Sequence, residues 1–526
     1  MSSMTMRLTK RQFLRLVGSA AGVAATYHTM NTLGLLGPAS AQAATPDLPN
    51  GSGFGKRVVI LGAGISGMTA AYELSKAGYH CTILEATNRA GGRNLTARAG
   101  DVIHEVDSRQ WVDFDHEDHL YANLGPARIP YHHRAILGYC KAFGVELEMF
   151  TNDNRAAFFH NAERFGGQPV VGRRVMTDQR GYIAELLAKA INRNALDDDL
   201  TADDKERLLP MLVEFGGLDA DYLYAGSNRA GYQGESVNAG LAPGDVNDPL
   251  DFSELLRSEF WEYKLHFSQF LNQNPTLFQP VGGMDAIAKA FETRVRRIIR
   301  YNSPVEEIRK TADGARVVHR NQRSGVSEAV DADYVICTIP APVLKDIPND
   351  FTPETQAAIE SVAFVPAVKI GFQARRRFWE DDHAIYGGIS WTDQDITQIW
   401  YPANGYHREK GVVMGAYIWD DFPGQGERWA NMTPPERLRT AIAEGEHLHP
   451  GYAQEIESGI SRAWLKAPYQ LGAWPESYQP PAEILAPDGP IYFAGDQVTA
   501  LPGWQEGAAL AAHAVVNAIH ARIMAG

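Results

Sequence analysis

The sequence predicts an α/β fold: a Rossmann-like dinucleotide-binding domain assembled from discontinuous stretches of chain, a mixed-sheet domain, and a helical insertion. Three observations carry this expectation. An apolar run at 58–61 enters the turn Gly62-Ala63-Gly64-Ile65-Ser66-Gly67, passes through a helix-period segment, and returns as a second apolar run at 81–84 ending on Glu85. This is the length and order of a strand–turn–helix–strand nucleotide unit. Strand patterns recur far downstream, at 332–338, 368–372, 396–401, 412–419 and 491–496. Between about 178 and 270, charged and polar residues thicken with helical spacing, as at 182–192, 205–214 and 252–271.

The elements follow in order. Thr9-Lys10-Arg11-Gln12-Phe13-Leu14-Arg15 is basic, a mildly apolar run of small residues extends from about 16 to 36, and Ala39-Ser40-Ala41-Gln42-Ala43 offers an A-x-A cleavage site. Residues 1–43 therefore read as an export signal. It is similar to a twin-arginine signal with Lys10-Arg11 in place of two arginines. Its glycines and polar residues argue against a membrane anchor. A Pro/Gly-rich linker, 44–55, precedes the first folded block.

In that block Gly62 permits the tight turn, Gly64 lets the backbone approach a pyrophosphate, and Gly67 lets helix and strand pack closely. The free N–H groups near Ile65 and Ser66 face the phosphates. Glu85, about 20 residues on, is placed to accept ribose hydroxyls. Near the other end, Phe493-Ala494-Gly495-Asp496 closes an apolar strand, and Gly503-Trp504-Gln505-Glu506-Gly507-Ala508 opens a helix. That helix start presents unpaired N–H groups and a positive dipole end, and Asp496 can bind a sugar hydroxyl.

The chain of 526 residues is long enough for two or three domains. Its formal charge of −14 argues against nucleic acid as a partner, because phosphate binding needs a basic face. Cys81, Cys140 and Cys337 are not spaced as a disulfide framework or a metal site, and no metal is expected.

Arg89-Ala90-Gly91-Gly92-Arg93 resembles the RxGGR extension of the flavin amine oxidases, in which Arg93 can neutralise pyrophosphate charge. Leu124-Gly125-Pro126-Ala127-Arg128 is similar to that family's GPxR motif, and Phe493-Ala494-Gly495-Asp496 resembles its second FAD fingerprint. From about residue 56 onward the chain resembles the flavin-dependent L-amino acid oxidases of the flavin monoamine oxidase superfamily. The helical insert matches least well.

The resemblance implies FAD, held non-covalently, since no cysteine falls near 465–475 where a thioether would form. It implies a cofactor set of Gly62, Gly64, Ile65, Ser66, Gly67, Glu85, Ala86, Gly92, Arg93, Gly125, Pro126, Ala127, Arg128, Val305, Gly495, Asp496, Trp504, Gln505 and Ala508. It gives the substrate carboxylate to Arg128 and Tyr417, and the amine to the Gly503 carbonyl beside Trp504. Lys369, a cation within an apolar strand, is implied to act through water at flavin N5. His266 falls near a segment where some members use a histidine, but a helix-surface position is the stronger expectation.

The activity so implied is oxidative deamination of L-amino acids. Hydride passes from Cα to N5, O2 is the electron acceptor, and the products are a 2-oxo acid, ammonia and hydrogen peroxide. An amide-forming amino acid monooxygenase, an amine or polyamine oxidase, and a non-catalytic flavoprotein partner are the alternatives. Homodimers are common in the family. The implied division is 54–115, 281–361 and 485–526 for FAD; 116–177, 271–280 and 362–484 for substrate; and 178–270 for the helical domain.

Overall fold

The computed structural model describes residues 45–234, 240–242 and 244–525, so the export signal expected at 1–43 lies outside the described residues. The first strand, β1 (Arg57–Leu61), leads through the glycine turn into a helix, α1 (Ile65–Lys76), and back to β2 (His80–Leu84). These strands join a five-stranded sheet in the order Ile299–Arg300, β2, β1, Tyr334–Cys337, Ile491–Phe493. Every pairing in it is parallel.

A parallel sheet must be covered on both faces, and the side-chain period of two shows how. Val58 and Ile60 pack with α1, the helix Asp285–Val295 and the helix Gln505–Met524. Val59 and Leu61 point the other way, into a core shared with Ile308, Ala315 and Val317 of an antiparallel three-stranded sheet. That sheet comprises Val305–Thr311, Gly314–Asn321 and Val326–Ala332.

A seven-stranded mixed sheet forms the second centre. Its order is Val170–Val171, Phe158–His160, Gly388–Thr392, Gln398–Tyr401, Gly411–Ile418, Val368–Ala374, Ile456–Ala463. All seven residues of Val368–Ala374 are buried. Val368, Ile370, Phe372 and Ala374 join one aromatic-rich core. Strand alternation therefore sends Lys369, Gly371 and Gln373 to the opposite face.

Two local expectations change. The helix expected at 252–271 is broken into Phe252–Arg257, Tyr263–His266 and 3-10 turns at Phe267–Gln269 and Leu271–Gln273. The first break falls where Glu259 takes a left-handed φ of 59°, which no continuous helix accommodates. The strand expected from 396 begins only at Gln398, because Thr397, with φ 56°, turns the chain. Helices Gly172–Asn192 and Ala202–Gly216 supply the helical layer of the insertion. No helix among the described residues is long and apolar enough to cross a membrane.

Candidate active site

A cleft open to solvent runs from the carboxyl ends of β1 and β2 to the face of the mixed sheet that carries Lys369 and Tyr417. In parallel sheets this end of the strands is where ligands bind. Gly62, Gly64, Ile65 and Ser66 line it, with Glu85, Ala86, Gly92 and Arg93 beside them. Gly125, Pro126 and Val305 form a middle wall. Lys369, Tyr417, Gly495, Asp496, Gly503, Trp504, Gln505 and Ala508 line the remainder.

Of the cofactor and substrate residues expected from sequence, Gly67, Ala127 and Arg128 fall outside the lining. Gly67 works behind the cleft. A Cβ there would stand 2.1 Å from the Gly62 carbonyl oxygen, so only glycine lets α1 sit this close to the turn. Gly62 itself has φ +104°.

The glycine end of the cleft fits an extended dinucleotide. A Cβ on Gly64 would meet no protein atom, so the space before it is open. Helix α1 starts with no side-chain cap and no acid in its first turn, leaving its first N–H groups for an anion. Ser66 Oγ is buried without a hydrogen-bond partner. Glu85 is held in place: its Oε2 accepts from Ala63 N at 2.8 Å, and its Oε1 from Thr87 N at 2.9 Å and Thr87 Oγ1 at 2.7 Å.

Arg93 has a partner that sequence did not reveal. Its guanidinium meets the Asp496 carboxylate with both Nη groups and also donates to the Ala473 carbonyl at 2.9 Å. Asp496 Oδ2 in turn accepts from Gly503 N at 3.0 Å. The pair ties the Gly91-Gly92 loop to the turn that follows the strand Ile491–Phe493. Within the protein, the adjacent carboxylate offsets the Arg93 charge. Arg89 likewise binds protein carbonyls, those of Ala90, Gly92 and Asn94, and so pins its own loop.

At the other end, the helix Gln505–Met524 begins behind Trp504, again without a side-chain cap. Glu506, in its first turn, accepts from Ala135 N at 3.0 Å and Ile136 N at 2.9 Å, at the start of the helix Arg134–Phe143. Asn94 Nδ2 donates to Gln505 Oε1 at 3.0 Å, while Gln505 Nε2 and Asn94 Oδ1 are buried without partners. These two orphaned polar atoms sit on lining residues and favour a polar ligand there.

Beyond this lies an aromatic chamber. Lys369 and Tyr417 are directly paired across antiparallel strands. This puts Lys369 Nζ 4.1 Å from the centre of the Tyr417 ring and 5.6 Å from that of Trp400. Nζ donates to the Gly125 carbonyl at 2.6 Å. Burial, with the Arg128 charge adding to it, holds the Lys369 amine well below the usual lysine range. Burial pushes the Tyr417 phenol up to about 12, opposed by Arg128.

Arg128 is 9 % exposed, and its guanidinium lies 4.8 Å from the Trp400 ring centre and 5.5 Å from those of Trp504 and Phe267. Its Nε donates to Gln273 Oε1 at 2.7 Å. No carboxylate pairs with it among the described residues. Burial lowers it to about 10, so it is cationic at neutral pH.

His133 packs edge-on against Trp504 at 5.0 Å, and burial holds it down at about 4. His266 is exposed at the end of its short helix and takes no place among the lining residues. Sequence reading missed Gln273, Asn94 and Glu506. A lone amide or acid carries no spacing signal, although Asn94 directly follows the Gly91-Gly92-Arg93 run.

The chain is similar to proteins of known activity. The L-amino-acid oxidase of Demansia vestigiata is 27% identical over 468 residues, covering 85% of this chain and 84% of that protein. That of Vipera ammodytes ammodytes is 28% identical over 472 residues, covering 85% and 89%. The Mus musculus enzyme is 28% identical over 480 residues, covering 86% and 68%. Among solved structures, putrescine oxidase bound to putrescine has a TM-score of 0.56 at 17% identity, covering 90% of this chain and 99% of that one. Cyclohexylamine oxidase from Brevibacterium oxydans IH-35A has a TM-score of 0.57 at 16% identity, covering 90% and 100%. These last two show the shared fold. The model of the flavin-containing amine oxidoreductases matches residues 65–520, from the start of α1 through the chamber and the second helix start, and the chain belongs to that family.

Proposed function

We propose that the protein oxidises L-amino acids to 2-oxo acids, with release of ammonia and hydrogen peroxide. The observation that carries this reading is Arg128: a buried cation with no acidic partner among the described residues, set among aromatic rings just behind the cleft wall, 5.5 Å from the ring centre of the lining residue Trp504. A buried charge left unpaired is costly, and a substrate carboxylate offers the bidentate partner that a guanidinium matches best. A simple amine has no anion to offer it.

FAD would lie with its pyrophosphate at the α1 start and Ser66, its ribose at Glu85, and its flavin end toward Gly125, Gly495 and the helix start behind Trp504. When bound it supplies the two-electron oxidation, taking hydride from Cα and passing electrons to O2. Cys81, Cys140 and Cys337 are buried outside the lining of the cleft, which supports non-covalent binding. The chain does the rest. Arg128 and Tyr417 clamp the carboxylate and so fix which way Cα points, the orientation effect that lowers the barrier most. Trp504 and Trp400 exclude water around the clamp. Lys369, whose amine burial and Arg128 hold well below the usual lysine range and whose Nζ is anchored on the Gly125 carbonyl, would pass a proton through a water beside it. Residues 1–43 are proposed to direct export.

The test is a peroxide assay of the purified flavin-loaded protein with the twenty L-amino acids, putrescine and cyclohexylamine. Peroxide, ammonia and 2-oxo acid from L-amino acids are expected. Turnover of the amines alone would overturn the reading. An amide product in place of the 2-oxo acid would move it to monooxygenation.

A further inference from the structure

Gln273 closes the 3-10 turn Leu271–Gln273. Its N–H donates to the Phe270 carbonyl at 2.8 Å, and its own carbonyl accepts from Asn152 Nδ2 at 2.9 Å. The neighbouring Asn272 Oδ1 bonds to Nε2 of His132 at 2.9 Å and of His133 at 3.1 Å. The turn is thus fastened to segments far away in sequence, and from it Gln273 Oε1 reaches Arg128 Nε. We infer that Gln273 is the positioning residue for anion recognition, a neutral acceptor that fixes the plane of the Arg128 guanidinium while leaving its charge and both Nη groups to the ligand. The inference rests on the reading of Arg128 as the carboxylate anchor.

Geometry and charge both favour it. A guanidinium carries five donors in one plane, and Nε accounts for one of them. Among the described residues no other hydrogen bond to Arg128 is formed. Trp400, Trp504 and Phe267 crowd the guanidinium, so polar partners are left to its edge. With Nε tied to Gln273, the edge left free is the Nη1–Nη2 side, which can bind a carboxylate end-on with two parallel bonds. A glutamate at 273 would hold the same plane and cancel the charge. A glutamine holds it and cancels nothing. The rigid turn behind it removes the rotamer freedom that a free arginine would lose on binding.

The experiment compares flavin-loaded wild type, Gln273→Glu and Gln273→Leu, reading KM and kcat for the best L-amino acid and flavin absorbance per chain. Gln273→Glu keeps size and acceptor and adds only charge. The expected result is a KM raised about 100-fold in Gln273→Glu and about 10-fold in Gln273→Leu, with kcat and flavin content near wild type. A merely structural glutamine gives the opposite order, with Glu tolerated and Leu harmful, and that order overturns the inference. Unchanged KM in both variants overturns it too. If Gln273→Glu fails to load flavin, Gln273→Leu decides alone by the same KM-against-kcat criterion. If wild type oxidises no L-amino acid, the Arg128 reading has failed separately. Benzoate binding, read from flavin absorbance, then tests Gln273 on its own: weaker binding to Gln273→Glu supports it, and equal binding overturns it.

Discussion

The cofactor end of the cleft and the aromatic chamber are built in opposite ways. The first is made largely by main chain. A glycine turn, a bare helix start and one acid, all between Arg57 and Glu85, define its floor. The second is made by side chains brought from separate elements: Arg128 just before the short strand Ile129–Pro130, Gln273 from a turn, Lys369 and Tyr417 from paired strands, Trp504 at a helix start. Backbone geometry is a property of contiguous sequence, so the first region follows from local rules. Side-chain convergence is a property of topology, so the second does not. The first should tolerate surface change and fail at glycine. The second should fail at single charges while the cofactor stays bound.

Substitutions can break that contrast. The largest effect is expected at Arg128. Arg128→Ala should lower kcat/KM for L-amino acids about 10³-fold, as for loss of one partner of a buried charge pair, with the flavin spectrum and content unchanged. Loss of flavin in this variant would erase the distinction between the two regions. Lys369→Met comes next. Its kcat should fall about 100-fold with KM little changed, the magnitude of a lost proton-transfer group. A KM effect alone would reduce Lys369 to a supporter of the Gly125 loop. Gly67→Ala should act in the other region. Its Cβ forces the turn apart, and flavin affinity should drop about 10-fold, in the range of overpacking effects, with kcat per bound flavin retained.

The smallest effect sharpens how the chamber is held. Glu444, on the helix Pro434–Gly445, accepts from Ile396 N at 2.8 Å, and the Ile396 carbonyl accepts from Tyr417 N. Burial pushes the Glu444 carboxyl up to about 7 from 4.5. The folded state therefore keeps a proton that the unfolded chain releases. Stability falls as pH rises from 4.5 to 7, and the deficit is complete above 7. Glu444→Gln should raise Tm by about 2–4 °C at pH 8 and leave it nearly unchanged at pH 5, as read by thermal scans. Equal shifts at both values would assign the effect to packing.

What sequence revealed follows the same division. The β1–α1–β2 unit, the strand at 491–493 and the closing helix were legible because apolar period and glycine placement are local signals. The three strands between 305 and 332 were only partly legible. Val305–Thr311 carries Glu306, Glu307, Arg309 and Lys310 around a single deeply buried Ile308, which blurs the alternation. The helix expected across 252–271 failed because periodicity does not report one residue of left-handed backbone at Glu259. Tyr417 and Lys369 could be singled out, but their pairing depends on strand register, which no single segment encodes. The Arg93–Asp496 contact joins residues separated by roughly four hundred positions, beyond any local rule.

That contact also bears on the order of events during synthesis. Gly62 leaves the ribosome early, but Asp496 and the helix start behind Trp504 are translated only after several hundred further residues. At the ordinary pace of about 5–20 residues per second, the nascent glycine loop waits tens of seconds for its opposite wall. The cleft is thus closed late, by the last part of the chain, and a chain stalled before residue 490 carries the first glycine turn without its opposite wall.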